Sequence, residues 1–124
     1  MHQAQPHVTL IGVPTDVGAS RLGQLGPALA QLGVQVHDIG KLAGPPNPRG
    51  ARDAAGMRNL AECIAWNQVA HDAVWQALQQ GRLPIMLGGD HTLATGSISA
   101  VARHCRAKGQ RLRVLWLDAH SDCN

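Results

Sequence analysis

Short apolar runs alternate with longer stretches of mixed polarity along this chain. Val8–Val13 (VTLIGV) is β-branched, unbroken and closed by Pro14, which reads as a buried strand. The Gly-punctuated stretch Gly18–Pro27 follows as a loop and leads into a short helix around Ala28–Leu32. Val34–Ile39 (VQVHDI) is the second strand, ended by Gly40. Ala43–Gly50 carries three prolines and two glycines and reads as a loop. Asp53–Gln80 has no proline, and Leu60, Ile64, His71, Val74, Trp75 and Leu78 recur at helical spacing. This predicts one long helix or two, with Asp53 as N-cap and Gly81 as the stop. Leu83–Leu87 (LPIML) is the third strand, a helix over Thr92–Lys108 is closed by Gly109, and Val114–Leu117 is the fourth strand.

Strands alternating with helices imply βαβ units and a parallel sheet. Apolar runs without polar alternation imply that both sheet faces are covered. The fold class is therefore α/β, and the 124 residues allow one domain spanning 1–124. With 44% hydrophobic and 15% charged residues the chain suits a globular protein with a real core. There is no Phe or Tyr, so that core is built from aliphatic side chains and three tryptophans.

The net charge of +3 raises nucleic acid as a partner, but the Lys and Arg are scattered, and no aromatics are interleaved to stack bases. Neither nucleic acid nor a membrane is expected: the start is polar, and no apolar stretch approaches the ~18 residues of a span. Cys63, Cys105 and Cys123 lack CxxC spacing and are odd in number, which suggests free thiols and a cytoplasmic location.

Two strands end in polar clusters: Gly88-Gly89-Asp90-His91, and Asp118-Ala119-His120-Ser121-Asp122. Ligands of open parallel sheets bind outside the carboxyl ends of strands, so the two clusters can share one site. Asp118, His120 and Asp122 alternate and can point to one side of an extended segment. The paired glycines permit a sharp turn and a close backbone approach. Imidazoles with carboxylates suit a divalent ion such as Mn²⁺ better than a thiolate-type zinc site, and a bridging carboxylate would allow a two-ion site. Taken singly, each piece has a plainer reading. Asp90 fits a helix N-cap or a hydrogen-bonded neighbour of a ligand, and a lone DxHxD occurs by chance. The two clusters in sequence after two strands are far more specific. Cys123 has no activating neighbour and reads as an inert small residue. His37 and His71 read as packing or surface residues, and Gly18–Pro27 lacks the GxGxxG order of a dinucleotide site.

Leu87-Gly88-Gly89-Asp90-His91-Thr92-Leu93-Ala94, followed by Gly96-Ser97-Ile98-Ser99, and Trp116-Leu117-Asp118-Ala119-His120-Ser121-Asp122-Cys123-Asn124 resemble the first two signature motifs of the ureohydrolases. Within that group the resemblance is greatest to arginase. Ile11-Gly12-Val13-Pro14, Gly18 and Gly26-Pro27 resemble the family's opening strand and loop. The resemblance implies a three-layer α/β/α fold with a mainly parallel sheet. It implies two Mn²⁺ ions and, for arginase, attack of a metal-bridging hydroxide on L-arginine to give L-ornithine and urea. It also implies residue roles: His91 and Asp122 on one ion, His120 on the other, Asp118 bridging both, and Asn124 at the substrate's amino-acid end. That Asn favours arginase over agmatinase. Complete members are expected to be homo-oligomers, trimers or hexamers.

Two departures set the remaining expectations. Members are more than twice this length, and their later part supplies two further Asp ligands, a His proton shuttle and a Glu that holds the guanidinium. No complete catalytic set is therefore expected here, and the chain reads as the N-terminal part of a single, truncated arginase-like domain, inactive alone. The family also places later strands between the one ending in GGDH and the one ending in DAHSD, so Val114–Leu117 should keep unpaired edges and Trp116 a partly exposed face. In addition, only Ala28–Gly33 separates Gly26-Pro27 from the second strand, which resembles an internal deletion in a crossover that usually takes ~10–12 residues. Another amidinohydrolase, or a non-catalytic short protein or half-domain needing a partner chain, stays open as an alternative.

Overall fold

The structure, a computed structural model, describes residues 5–15, 24–46, 52, 54–89 and 91–118. In chain order the elements are β1 (His7–Gly12), α1 (Leu25–Gln31), β2 (Gln35–Lys41), α2 (Leu60–Gln79), β3 (Leu83–Leu87) and α3 (Ala94–Ala107). A single 3-10 turn over His91–Leu93 leads into α3. The strands form a parallel sheet in the order β2-β1-β3.

β1 is central, and its apolar run is the reason. Val8, Leu10, Ile11 and Val13 are all buried, as is Thr9. Because side chains alternate along a strand, Val8 and Leu10 serve one face while Ile11 and Val13 serve the other. α1 lies over the first face: a methyl group placed on Gly26 would sit 3.6 Å from Leu10 Cδ1 and 3.9 Å from Val36 Cγ1. α2 and α3 cover the second face, where Ile11 and Val13 cluster with Trp66, Val74, Leu93 and Ala100, and Met86 of β3 packs against them. The result is a helix layer on each side of a parallel sheet, the α/β/α architecture expected, in shortened form. At the margin of the core, Trp75 of α2 packs against the buried cluster and receives the Arg103 guanidinium at 4.2 Å and the His104 ring edge-on at 6.3 Å, both from α3.

Several boundaries follow local chemistry closely. β3 occupies the predicted Leu83–Leu87. Gly81 and Gly109 close α2 and α3 in the left-handed conformation, with Arg82 N donating to Ala77 O at 3.0 Å and Gln110 N to Cys105 O at 2.8 Å. Each is the six-to-one bond of a glycine-terminated helix. β2 runs through Gly40 instead of ending there: the register with β1 slips between Leu10 and Gly12, so a bulge absorbs the extra residue.

Other expectations are corrected. α2 begins at Leu60, not near Asp53; Gly56 at φ 80° and Asn59 at φ 54° interrupt any helix before it. Asp53 itself lies outside the described residues. The buried stripe of α2 is Trp66, Ala70, Val74 and Ala77, whereas Leu60 and Ile64 are exposed. The close approach of α3 to α2 is made at Gly96, where a side chain would strike the Asn67 backbone. β2 is mostly exposed, so only β1 meets the expectation of two covered faces. Val114–Leu117 is not a strand: residues 110–118 have no regular structure. A strand needs a ladder partner, and β3, the nearest sheet edge, has none on its outer side among the described residues. Instead residues 112–115 run beside β3 and α3, enclosing a groove of about 430 Å³ with Pro84, Met86 and Val101. Among the described residues no helix is long and apolar enough to cross a membrane.

Candidate functional site

β1 and β3 are parallel neighbours, so their carboxyl ends open on the same side of the sheet. Val13 N donates to Leu87 O at 2.9 Å and carries the pairing one residue past β1. Directly after β3 the chain turns at Gly88, φ 126°, and Gly89, φ 61°. A side chain at Gly88 would strike Val13 O, and one at Gly89 would strike Thr15 Oγ1 and lie 2.6 Å from Leu93 Cδ1. The glycines do what the motif suggested: they permit a backbone conformation and a close approach that a Cβ forbids. The partner in that close approach is the end of β1.

The turn delivers His91. Its ring is exposed, while Leu93, two residues on, is 2% exposed and plugs the core between α2 and β1. His91 thus stands on an anchored base at the edge of the sheet. The second cluster approaches the same place. Trp116 meets His91 edge to face, with ring centroids 6.2 Å apart and planes at 68°. This geometry is favourable for two aromatic rings. Asp118, two residues beyond Trp116, is exposed. The structure therefore brings the approach to the second motif against the histidine of the first, without a fourth strand to carry it.

Asp90, His120, Asp122, Cys123 and Asn124 lie outside the described residues, as does the Gly18–Gly23 part of the early loop. Among the described residues no group of three His, Cys, Asp or Glu side chains is gathered as a metal site. Of the expected donors, His91 and Asp118 are described, and imidazole and carboxylate donors suit a divalent ion of intermediate hardness. His37 is exposed on β2, and His71 sits partly buried on α2 with Nδ1 2.9 Å from Asp72 Oδ1, so neither joins the cluster. The role of Trp116 was not evident from sequence beyond its apolar run. The only signal was its position two residues before an expected ligand.

Comparison with known proteins gives one answer. The family described as the arginase family matches residues 6–124. An arginase of Bacillus caldovelox is 35% identical over 129 aligned positions that cover 94% of this chain and 42% of that protein. An arginase of Brucella melitensis is 33% identical, with 94% and 41% covered. Among solved structures, the Bacillus caldovelox arginase superposes with a TM-score of 0.64 at 33% identity, covering 82% of this chain and 38% of that one. An arginase of Bacillus subtilis gives the same TM-score at 28% identity, covering 79% and 36%. The chain thus spans less than half the length of the relatives it matches.

Proposed function

The chain belongs to the arginase family, and from that premise we propose that it supplies the N-terminal part of a manganese-dependent site for hydrolysing L-arginine to L-ornithine and urea. In this reading residues 1–124 are one part of a single α/β domain. His91 and Asp122 would hold one ion, His120 the other and Asp118 both, and Asn124 would bind the amino-acid end of the substrate. Two divalent ions would supply a water acidic enough to ionise near neutral pH. The protein's own contribution is placement: the Gly88-Gly89 turn sets His91 at the sheet edge, and the Trp116 ring holds the following segment beside it. That ring contact, at 6.2 Å, is the observation that carries the proposal, since it joins the two motifs in space.

These 124 residues contain only part of the ligand set that the family resemblance implies, so the chain alone is inactive in this reading. It works as part of a longer polypeptide or with a complementary chain, in an oligomer. A cytoplasmic location belongs to the same proposal and draws support from Cys63 and Cys105, which are free thiols. The half-domain reading draws support from Leu115 and Leu117, 82% and 85% exposed, which a self-sufficient domain would normally bury or replace. Agmatinase-type chemistry would need a different contact at position 124.

The test is a paired measurement on the 124-residue chain: Mn²⁺ binding, and urea release from L-arginine with Mn²⁺ present. Weak binding that His91→Ala or Asp118→Ala reduces, with no urea released, is the expected result. Substantial urea release would overturn the claim of incompleteness. Binding unchanged in both variants would overturn the metal assignment.

A further inference from the structure

The first turn of α3 is capped from another helix. The residue preceding α3, Leu93, makes no side-chain cap, yet the first amides of a helix have no partners within it. Gly96 N, three positions into the helix, donates instead to Oδ1 of Asn67 at 2.6 Å. Asn67 belongs to α2, 29 positions earlier. The other end of the same amide is also committed: Asn67 Nδ2 donates to Cys63 O at 2.9 Å, which fixes the side chain's orientation. Gly96 is buried, and a Cβ there would collide with the backbone carbonyl of Asn67. The two helices are therefore seated backbone against backbone at this one point, and the hydrogen bond is made where they touch.

The location matters more than the bond. Gly96 lies five residues after His91, with buried Leu93 between them. The plug at Leu93 and the clamp at Gly96 together set the start of α3, and the turn carrying His91 is continuous with it. We propose that Asn67 is a positioning residue for His91: by capping α3 from α2 it fixes the His91–Leu93 turn, and so the imidazole, at the carboxyl end of the sheet. This rests on reading His91 as a metal ligand, but its geometric half does not need a metal.

The distinguishing variants are Asn67→Leu, which keeps the size but removes the acceptor, and Asn67→Asp, which keeps an acceptor oxygen for Gly96 N at a helix start where negative charge is favourable while giving up the donor to Cys63 O. In the 124-residue chain two readouts separate the outcomes. The first needs no metal: NMR contacts between the His91 and Trp116 rings, with hydrogen exchange at the Gly96 amide. Asn67→Leu should lose the ring contacts and speed exchange, and Asn67→Asp should retain both. The second is Mn²⁺ affinity, which should fall about 10-fold in Asn67→Leu, the scale at which partners behind a ligand act, and recover in Asn67→Asp. If Asn67→Leu does not fold, Asn67→Ala carries the same expectations. Faster exchange at Gly96 with the ring contacts and affinity unchanged would overturn the proposal, as would equal losses in Asn67→Asp and Asn67→Leu. If the unaltered chain binds no Mn²⁺, the metal assignment fails, and the ring contacts alone decide the role of Asn67.

Discussion

Leu83–Leu87 and Val114–Leu117 are written in the same local grammar. Each follows a helix closed by glycine, each is preceded by an arginine, and each leads into a cluster containing Asp and His. One is a strand paired along β1 from Val8 to Gly12, and the other has no regular structure, with Leu115 and Leu117 more than four-fifths exposed. Propensity does not account for this, since the unpaired run holds Val and Trp while the strand holds a proline, so the difference lies in partners. β3 finds an open edge of β1, whereas the second run reaches only the outer side of β3 and stops short of pairing there. The two halves of the candidate site inherit this difference. The Gly88–Leu93 turn is built into the core, and the segment leading to Asp118 touches it at one ring.

The contrast breaks if the first half tolerates change. Gly88→Ala should be the most damaging substitution, because it forces a side chain into a positive-φ conformation and against Val13 O together. Strain and overpacking each cost about 2 kcal/mol, giving roughly 4 kcal/mol in all. Chemical denaturation should show a large fall in midpoint, or no cooperative transition. Leu93→Ala follows at about 3 kcal/mol, the scale for emptying a well-packed leucine site. It should also blur the His91 ring resonances, since Leu93 anchors the turn. A midpoint unchanged in either variant would mean that the turn is not part of the core.

How much was legible in the sequence follows the same division. β1 and β3 were readable to within about a residue because their apolar runs are bounded by proline and glycine, and the glycine stops of α2 and α3 were readable for the same local reason. The start of α2 was not, since the absence of proline after Asp53 looks helical while Gly56 and Asn59 take left-handed conformations that composition does not announce. The stripe of α2 was misjudged because Leu60 and Ile64 outrank alanine in hydrophobicity, yet it is Ala70 and Ala77 that are buried. Asn67 gave no signal at all: its value lies in meeting Gly96, which is a tertiary fact. Of the expected ligands only His91 and Asp118 lie among the described residues, and what the structure shows between the two motifs is the His91–Trp116 ring contact.

Trp116→Ala sharpens the contrast from the other side. An edge-to-face ring pair contributes about 1 kcal/mol when well packed, and Trp116 is half exposed, so the global midpoint should move by less than about 1 kcal/mol. The local effect should be larger: the His91 ring protons should lose the shift caused by the neighbouring indole. A global loss of several kcal/mol would show that residues 110–118 belong to the cooperative unit.

Leu117→Ala should have the smallest effect in the 124-residue chain, within about 0.5 kcal/mol, since a residue 85% exposed has little packing to lose. The informative variable here is protein concentration. An exposed apolar run beside an open strand edge is a surface on which further strands can pair. If Leu117→Ala leaves the midpoint unchanged at micromolar concentration but lowers it as concentration rises, a second copy is covering that surface, and Leu117 is part of what it covers. If the midpoint stays unchanged at every concentration, the run is held open in solution as it is in the structure. That outcome would rule out pairing between copies through Leu117 and leave the run free for a different chain, the alternative in which a half-domain takes a partner.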